Sequence, residues 1–151
     1  MELECRKVVF PDELDDVLAF DAAVFSNPGD YMSPEEWTQS DAYWMFVDKA
    51  RVGCCALQDN VDYDDSTRNG ALYIASIAIS AEWRRHGLGT KFTKWQIEYA
   101  RKRSFASIVA NTRESNAAMR ALYEKLGFKV RCITDYYDEP EERTVVFDLA
   151  L

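Results

Sequence analysis

The stretch that most restricts this chain is Ser76-Ile-Ala-Ile-Ser-Ala-Glu-Trp-Arg84-Arg85-His86-Gly87-Leu88-Gly89-Thr90. An apolar run with strand character stops there, a basic turn follows, and two glycines open a segment of helical periodicity. The physics of such a turn is anion capture. Glycines let the backbone come close to a ligand, several N–H groups converge on one spot, and the positive end of the helix dipole adds to them. A fold built around it must alternate strands with helices.

The rest of the chain fits that demand. Residues 3–10 read as a strand ended by Pro11, and Leu14, Val17, Leu18, Ala22 and Phe25 have helical spacing. Asn27-Pro28-Gly29-Asp30 is a turn, and Ser33-Pro34-Glu35-Glu36 carries an N-cap, a first-turn proline and two acids for a short helix through Trp37. Residues 42–47 and 52–57 are two strands of a hairpin turning at 48–51, and 59–69 is a polar, acidic connection. Residues 71–80 are apolar on both faces, which predicts a central strand covered on both sides. A helix over about 87–103 presents Leu88, Phe92, Trp95 and Tyr99 on one face, and Lys91, Lys94, Glu98 and Arg101 on the other. Ile108 and Val109 lie in a buried strand. Ser115 or Asn116 begins a helix with Met119, Leu122 and Leu126, which ends at Gly127 in the left-handed position with Phe128 packing beyond it. Residues 128–133 and 144–151 are the final strands, joined by an acidic turn at 135–142. The predicted order is β-α-α-β-β-β-α-β-α-β-β, a mixed α/β sheet in one domain over residues 1–151, with parallel strands joined by crossovers in the second half.

Composition closes off several classes of function. A net charge of −8 without a basic stripe argues against nucleic acid as a partner and suits a cationic substrate. No segment reaches the ~18 apolar residues of a membrane span. The first residues lack the layout of a secretion signal, so a cytoplasmic location is expected. Cys5, Cys54, Cys55 and Cys132 form no Cys-x-x-Cys pair, and His86 is the single histidine, so no metal site is expected and the thiols read as buried. Nucleotide motifs fail on their own terms. Phe92 stands where a dinucleotide fingerprint needs its third glycine, and Gly89 is followed by Thr90-Lys91 rather than Lys-Ser/Thr.

Twenty-seven residues after Gly89 comes Asn116-Ala-Ala-Met-Arg-Ala-Leu-Tyr123-Glu-Lys-Leu-Gly127-Phe128. The two signals in this order resemble the GNAT (GCN5-related N-acetyltransferase) superfamily, whose pattern of Arg or Gln, two residues, Gly, one residue, Gly or Ala is met by Arg84, Gly87 and Gly89. The resemblance covers the whole chain in element order and residues 71–135 in motif. It implies an acyltransferase that uses acetyl-CoA as cosubstrate, by direct attack of an amine and without an acyl-cysteine step. Backbone N–H groups of His86, Gly87, Leu88, Gly89 and Thr90 would hold the diphosphate, with local positive charge from Arg84 and Arg85. The backbone of Ile77 and Ile79 would pair with the pantetheine amides in a split between the fourth and fifth strands, and the Ile79 N–H would polarise the thioester carbonyl. Asn116 would touch the cofactor as well as cap its helix. Tyr123 would face the thioester sulfur, protonating it or hydrogen-bonding to it.

The general base is not legible. Family members that place a glutamate near the start of the central strand have it where Gly70 and Ala71 stand here, and Tyr73 and Ser76 are the polar side chains of that strand. The acidic sets Asp59, Asp62, Asp64, Asp65 and Asp138, Glu139, Glu141, Glu142 would flank the acceptor in the resembled fold. The expectation is therefore acetylation of a small cationic amine. Alternatives are acetylation of a lysine or a peptide N terminus, to which Tyr136-Tyr137 and Ile77-Ala-Ile79 add weight by resemblance to the ribosomal-protein-acetylating branch, and a non-catalytic acetyl-CoA sensor. Family members often pair through their last strands, which implies a homodimer as one possible state.

Overall fold

A computed structural model describes residues 2–25, 31–62, 67–139 and 142–151. The turn at 27–30 lies outside them, as do the side chains of Asp62, Asp64, Asp65 and residues 136–141. The elements run in the predicted order: β1 Leu3–Lys7, α1 Leu14–Val24, α2 Pro34–Thr38, β2 Asp41–Val47, β3 Ala50–Asp62, β4 Thr67–Ile79, α3 Leu88–Lys102, β5 Ser107–Arg113, α4 Ala117–Lys125, β6 Lys129–Glu139 and β7 Glu142–Ala150. A 3-10 turn among the described residues, Ala81–Trp83, was not foreseen. The sheet has seven strands in the order β1-β2-β3-β4-β5-β7-β6. β4 and β5 are parallel, joined through α3, while β1–β2, β2–β3, β5–β7 and β6–β7 are antiparallel.

Two compact units divide the chain, one of 1–58 with 75–93, the other of 59–74 with 94–151. In the first, Val17 of α1, Trp37 of α2, Trp44 of β2, Cys54 and Ala56 of β3 and Ala78 of β4 form a buried apolar cluster. Burying one such large side chain contributes roughly 1.5–3 kcal/mol. Two polar devices fix its helices. Ser33 and Glu36 close a capping box at the start of α2. Asp21, buried on α1, accepts hydrogen bonds at Oδ2 from the Met32 N–H (3.1 Å) and the Trp37 Nε1–H (3.2 Å), fastening α1 to the start of α2. Burial raises the Asp21 carboxyl above its ordinary value.

β2 and β3 turn on two residues, Asp48 and Lys49, with φ of 49° and 70°. Positive φ at both centres is the twist a tight hairpin needs. The register slips once, where Met45 faces Gly53 and Phe46 faces Arg51, leaving Val52 as a bulge. Gly53 is glycine for space: a Cβ there would lie 2.6 Å from the Ala78 carbonyl oxygen of β4 and 2.5 Å from Met45 Cε.

In the second unit, Ala71 of β4, Val109 of β5 and Val146 of β7 are buried together with Tyr73 and Cys132 beside them. Residues 59–62 and 67–69, predicted as part of a connection, are strand instead, as are 135–139 of the predicted acidic turn. Cys54 and Cys55 are buried as expected, whereas Cys5 and Cys132 are only partly so. Even so, burial and the neighbouring Glu4 push the Cys5 thiol up to about 12, which keeps it protonated and inert.

Candidate active site

Along β4 burial alternates with period two. Leu72, Ile74, Ser76 and Ala78 are buried, and Tyr73, Ala75, Ile77 and Ile79 are half-buried. The expectation that both faces are fully covered is corrected here. One face, the one carrying Ile77 and Ile79, remains within reach of a ligand.

Past Ile79 the chain makes the basic elbow, all within the first unit. The Ser80 N–H still pairs with the Val52 carbonyl (2.9 Å), and the 3-10 turn then carries the chain out to Arg84. The Arg84 Nε–H donates to the Ile79 carbonyl (3.3 Å), clamping the exit of the strand. Arg85 and Gly87 both take left-handed backbone, with φ of 66° and 73°. The first hydrogen bond of α3 is Lys91 N–H to Gly87 O (3.2 Å), so the N–H groups of Leu88, Gly89 and Thr90 come before the helical ladder begins. Arg84, Arg85, His86 and Gly87 are exposed, and nothing lies within 4 Å of where a Gly87 Cβ would be. The elbow is thus an open nest of backbone donors with two guanidinium groups beside it, a fit for a diphosphate. The His86 ring leans on Trp83, with centroids 5.7 Å apart.

The second motif forms in the other unit. Asn116 is the N-cap of α4, its Oδ1 accepting from the Met119 N–H (3.1 Å). Capping engages the carbonyl end, so any contact with a ligand falls to Nδ2. At the far end Gly127 has φ of 95°, the Phe128 N–H donates to the Tyr123 carbonyl (3.0 Å) and the Gly127 N–H to the Glu124 carbonyl (3.1 Å). These two bonds are a Schellman closure, and it pins the backbone of Tyr123. The Tyr123 ring, 1% exposed, packs on Phe128 (4.9 Å) and Phe147 (5.3 Å). Burial, and after it the neighbouring Tyr73, hold its phenol well above the ordinary value. A phenol so raised cannot readily surrender its proton to a thiolate, whose acid is near ~8.5. Of the two roles foreseen for Tyr123, hydrogen-bond donation is the one its environment favours.

One pair escaped the sequence reading. The Asn111 Nδ2–H donates to the Tyr73 hydroxyl oxygen (2.8 Å). Tyr73 faces Val109 in the β4–β5 ladder, and Asn111 lies two residues further along β5 on the same side. Thirty-eight residues separate them, so only strand register brings them together. Among the foreseen acids, Glu142 is held by Ser115 (2.8 Å) and Arg113 (3.7 Å) and so serves the join of β7 to the start of α4. Asp59 is exposed.

The chain matches the Acetyltransferase (GNAT) family over residues 12–128, and it belongs to that family. Among curated relatives, the [ribosomal protein bS18]-alanine N-acetyltransferase of Escherichia coli is 36% identical over 77 residues, 50% of this chain and 52% of that protein. The crystal structure of the ribosomal-protein-S18-alanine N-acetyltransferase from Escherichia coli superposes with a TM-score of 0.79 at 20% identity, covering 99% of this chain and 94% of that one. A chain of the NatC complex bound to Gag peptide and CoA gives 0.79 at 19% identity, covering 100% and 99%. At such identities the structures show a shared fold. The chain spans about half the length, or less, of the curated relatives it matches. No helix among the described residues is long and apolar enough to cross a membrane.

Proposed function

We propose that this chain transfers the acetyl group of acetyl-CoA to the α-amine of a peptide or protein N terminus, by direct attack. The observation that carries the reading is the exposed elbow, with left-handed Arg85 and Gly87 ahead of the first N–H groups of α3. Leu88, Gly89 and Thr90 would hold the diphosphate through backbone donors, with His86 and Gly87 completing the nest and Arg84 and Arg85 supplying charge. The half-buried Ile77 and Ile79 offer backbone to the pantetheine arm, and Tyr123 offers a hydroxyl to the sulfur. Acetyl-CoA supplies an activated acyl group; the protein supplies position and donors.

The acceptor class rests on the relatives. Two curated relatives carry the support: one is named for the alanine of ribosomal protein bS18, and another is an N-alpha-acetyltransferase of Schizosaccharomyces pombe, 39% identical over 56 residues, while fold neighbours at 16% identity are named for IAA and phosphinothricin. A small cationic amine, the first expectation, loses support because Glu142 is occupied by Arg113 and Ser115. The test is release of CoA thiol from acetyl-CoA with a decapeptide bearing N-terminal alanine, against spermine and an aminoglycoside. Turnover with the peptide, and little with the polyamine, is expected. The reverse order would return the acceptor to the small cations, and no release with any of them, despite acetyl-CoA binding, would make the chain a sensor.

A further inference from the structure

The part of β4 to which the acetyltransferase reading gives the pantetheine arm, residues 75–79, has less to hold it than the part before. The ladder to β5 covers Ala71–Ile74 among the described residues. Within the first unit, the Ser80 N–H on the Val52 carbonyl and the Arg84 Nε–H on the Ile79 carbonyl fix the exit of the strand. Upstream of that exit, the strand is steadied by its buried face, Ser76 and Ala78. Ala78 packs in the apolar cluster with Val17 and Trp37. Ser76 is the polar member, and a buried hydroxyl needs a partner.

Ser76 Oγ has no hydrogen bond among the described residues, and neither has Asp21 Oδ1. Both residues are buried, Ser76 8% and Asp21 1% exposed. The Ser76 hydroxyl nevertheless lies close enough to Asp21 to favour its charged form, against the burial that raises the carboxyl. Asp21 is held from its other side, where Oδ2 accepts from the Met32 N–H and the Trp37 Nε1–H. The carboxyl cannot turn away from Ser76 without losing both. A further titratable neighbour, Cys54 of β3, is kept neutral by burial and then by the Asp21 charge. Two adjacent oxygens of complementary chemistry are left, one on α1 and one on β4.

We propose that Asp21 and Ser76 form a latch between α1 and β4, Oδ1 to Oγ, which fixes how residues 75–79 present their backbone to the pantetheine arm. This rests on the acetyltransferase reading above. One hydrogen bond joins the two oxygens, whichever of them supplies the proton. The latch ties β4 to α2 as well, because the same carboxyl holds the Trp37 indole. Ile77 and Ile79 stand on the opposite face of β4 from Ser76, so their side of the strand stays open. Asp21 and Ser76 are positioning residues, since both act on the ligand through the strand backbone.

Calorimetry on the full chain with two ligands tests the latch. Acetyl-CoA carries the pantetheine arm; adenosine 3′-phosphate 5′-diphosphate keeps the diphosphate and lacks the arm. Ser76→Ala removes the hydroxyl and little volume. It should weaken acetyl-CoA binding about three- to tenfold, the size of one hydrogen bond, and leave affinity for the fragment within about twofold. Amide hydrogen exchange at Ile77 and Ile79 should quicken in free S76A. Asp21→Asn is the conservative variant. Its oxygen accepts from Met32 and Trp37 while Nδ2 donates to Ser76, so its acetyl-CoA affinity should lie closer to the wild type than that of S76A. Equal weakening of both ligands in S76A would show a general loss of structure and overturn the latch. Wild-type affinity of S76A for acetyl-CoA would overturn it too and leave the acetyltransferase reading standing. D21N as weak as S76A would overturn the pairing of Asp21 with Ser76. A wild type that takes up neither ligand would overturn the cofactor reading along with the latch.

Discussion

Tyr123 is a packing residue first, and the chemical role proposed for it has to be met by a side chain that the core already holds. Its ring is core, fixed by Phe128 and Phe147 and by the backbone closure at Gly127, which gives the hydroxyl a defined direction. The change Tyr123→Phe should leave acetyl-CoA affinity unaltered and lower kcat by about 10- to 100-fold, read by calorimetry and by thiol release. An equal loss in affinity and rate would mean that the hydroxyl serves binding alone. Asp21 makes a separate residue-scale prediction. Its native carboxyl sits above the ordinary 3.8 because burial disfavours the charge. Between those two values the folded state holds a proton that the unfolded chain has released. Its contribution is therefore full below the ordinary value and is lost as pH rises through the native one. Asp21→Asn should flatten that part of the stability–pH curve in denaturant melts at a series of pH values, whereas an unchanged slope would remove Asp21 as its source. The Asp21 carboxylate itself was not foreseen. It stood in the helical pattern of α1 without a signal that its face was buried, and its partners Met32 and Trp37 lie 11 and 16 residues away.

Among the elements, those with local signals were legible and those defined by partners were not. α2 was readable from Ser33, Pro34 and Glu36, and α4 from Asn116 at one end and Gly127 at the other, because capping chemistry is written within a few residues. The ends of β3, β4 and β6 were read as loops because Asp59, Asn60 and Asp62 break any apolar alternation; strand pairing there rests on backbone hydrogen bonds, which leave no mark in side-chain pattern. α3 was placed to within one residue, yet Thr93 and Gln96 are fully buried, a fact helical periodicity gave no reason to expect of polar residues. Gly53 carries the prediction at this scale. A methyl group would press on a backbone oxygen at 2.6 Å, which cannot retreat as a flexible side chain could. Gly53→Ala should cost about 1–3 kcal/mol in chemical denaturation. A cost under a few tenths would show that β3 and β4 adjust freely there.

For the whole molecule, the site was legible where it is made of contiguous chain and illegible where it is made of topology. The elbow from Arg84 to Thr90 is one short segment, and its glycines and arginines announced it. The Tyr73–Asn111 bond depends on β4 and β5 running parallel in a single register, which is settled only by the assembled sheet. An acidic chain of net charge −8 repels an anionic carrier at long range, so the proposed capture of a diphosphate relies on local backbone donors and on Arg84 and Arg85. Ligand linkage makes this visible in the global stability: acetyl-CoA at about 100 times its dissociation constant should add about 2.7 kcal/mol to unfolding, seen as a rise in the melting temperature. The most direct test is calorimetry of acetyl-CoA binding to the wild-type chain and to Gly87→Val. A β-branched residue cannot comfortably hold φ of 73°, although there is open space around its Cβ. Binding of one equivalent by the wild type, with affinity reduced at least about tenfold in G87V, is the predicted result; a wild type that takes up no acetyl-CoA, or a correctly folded G87V that binds it equally well, would contradict the account.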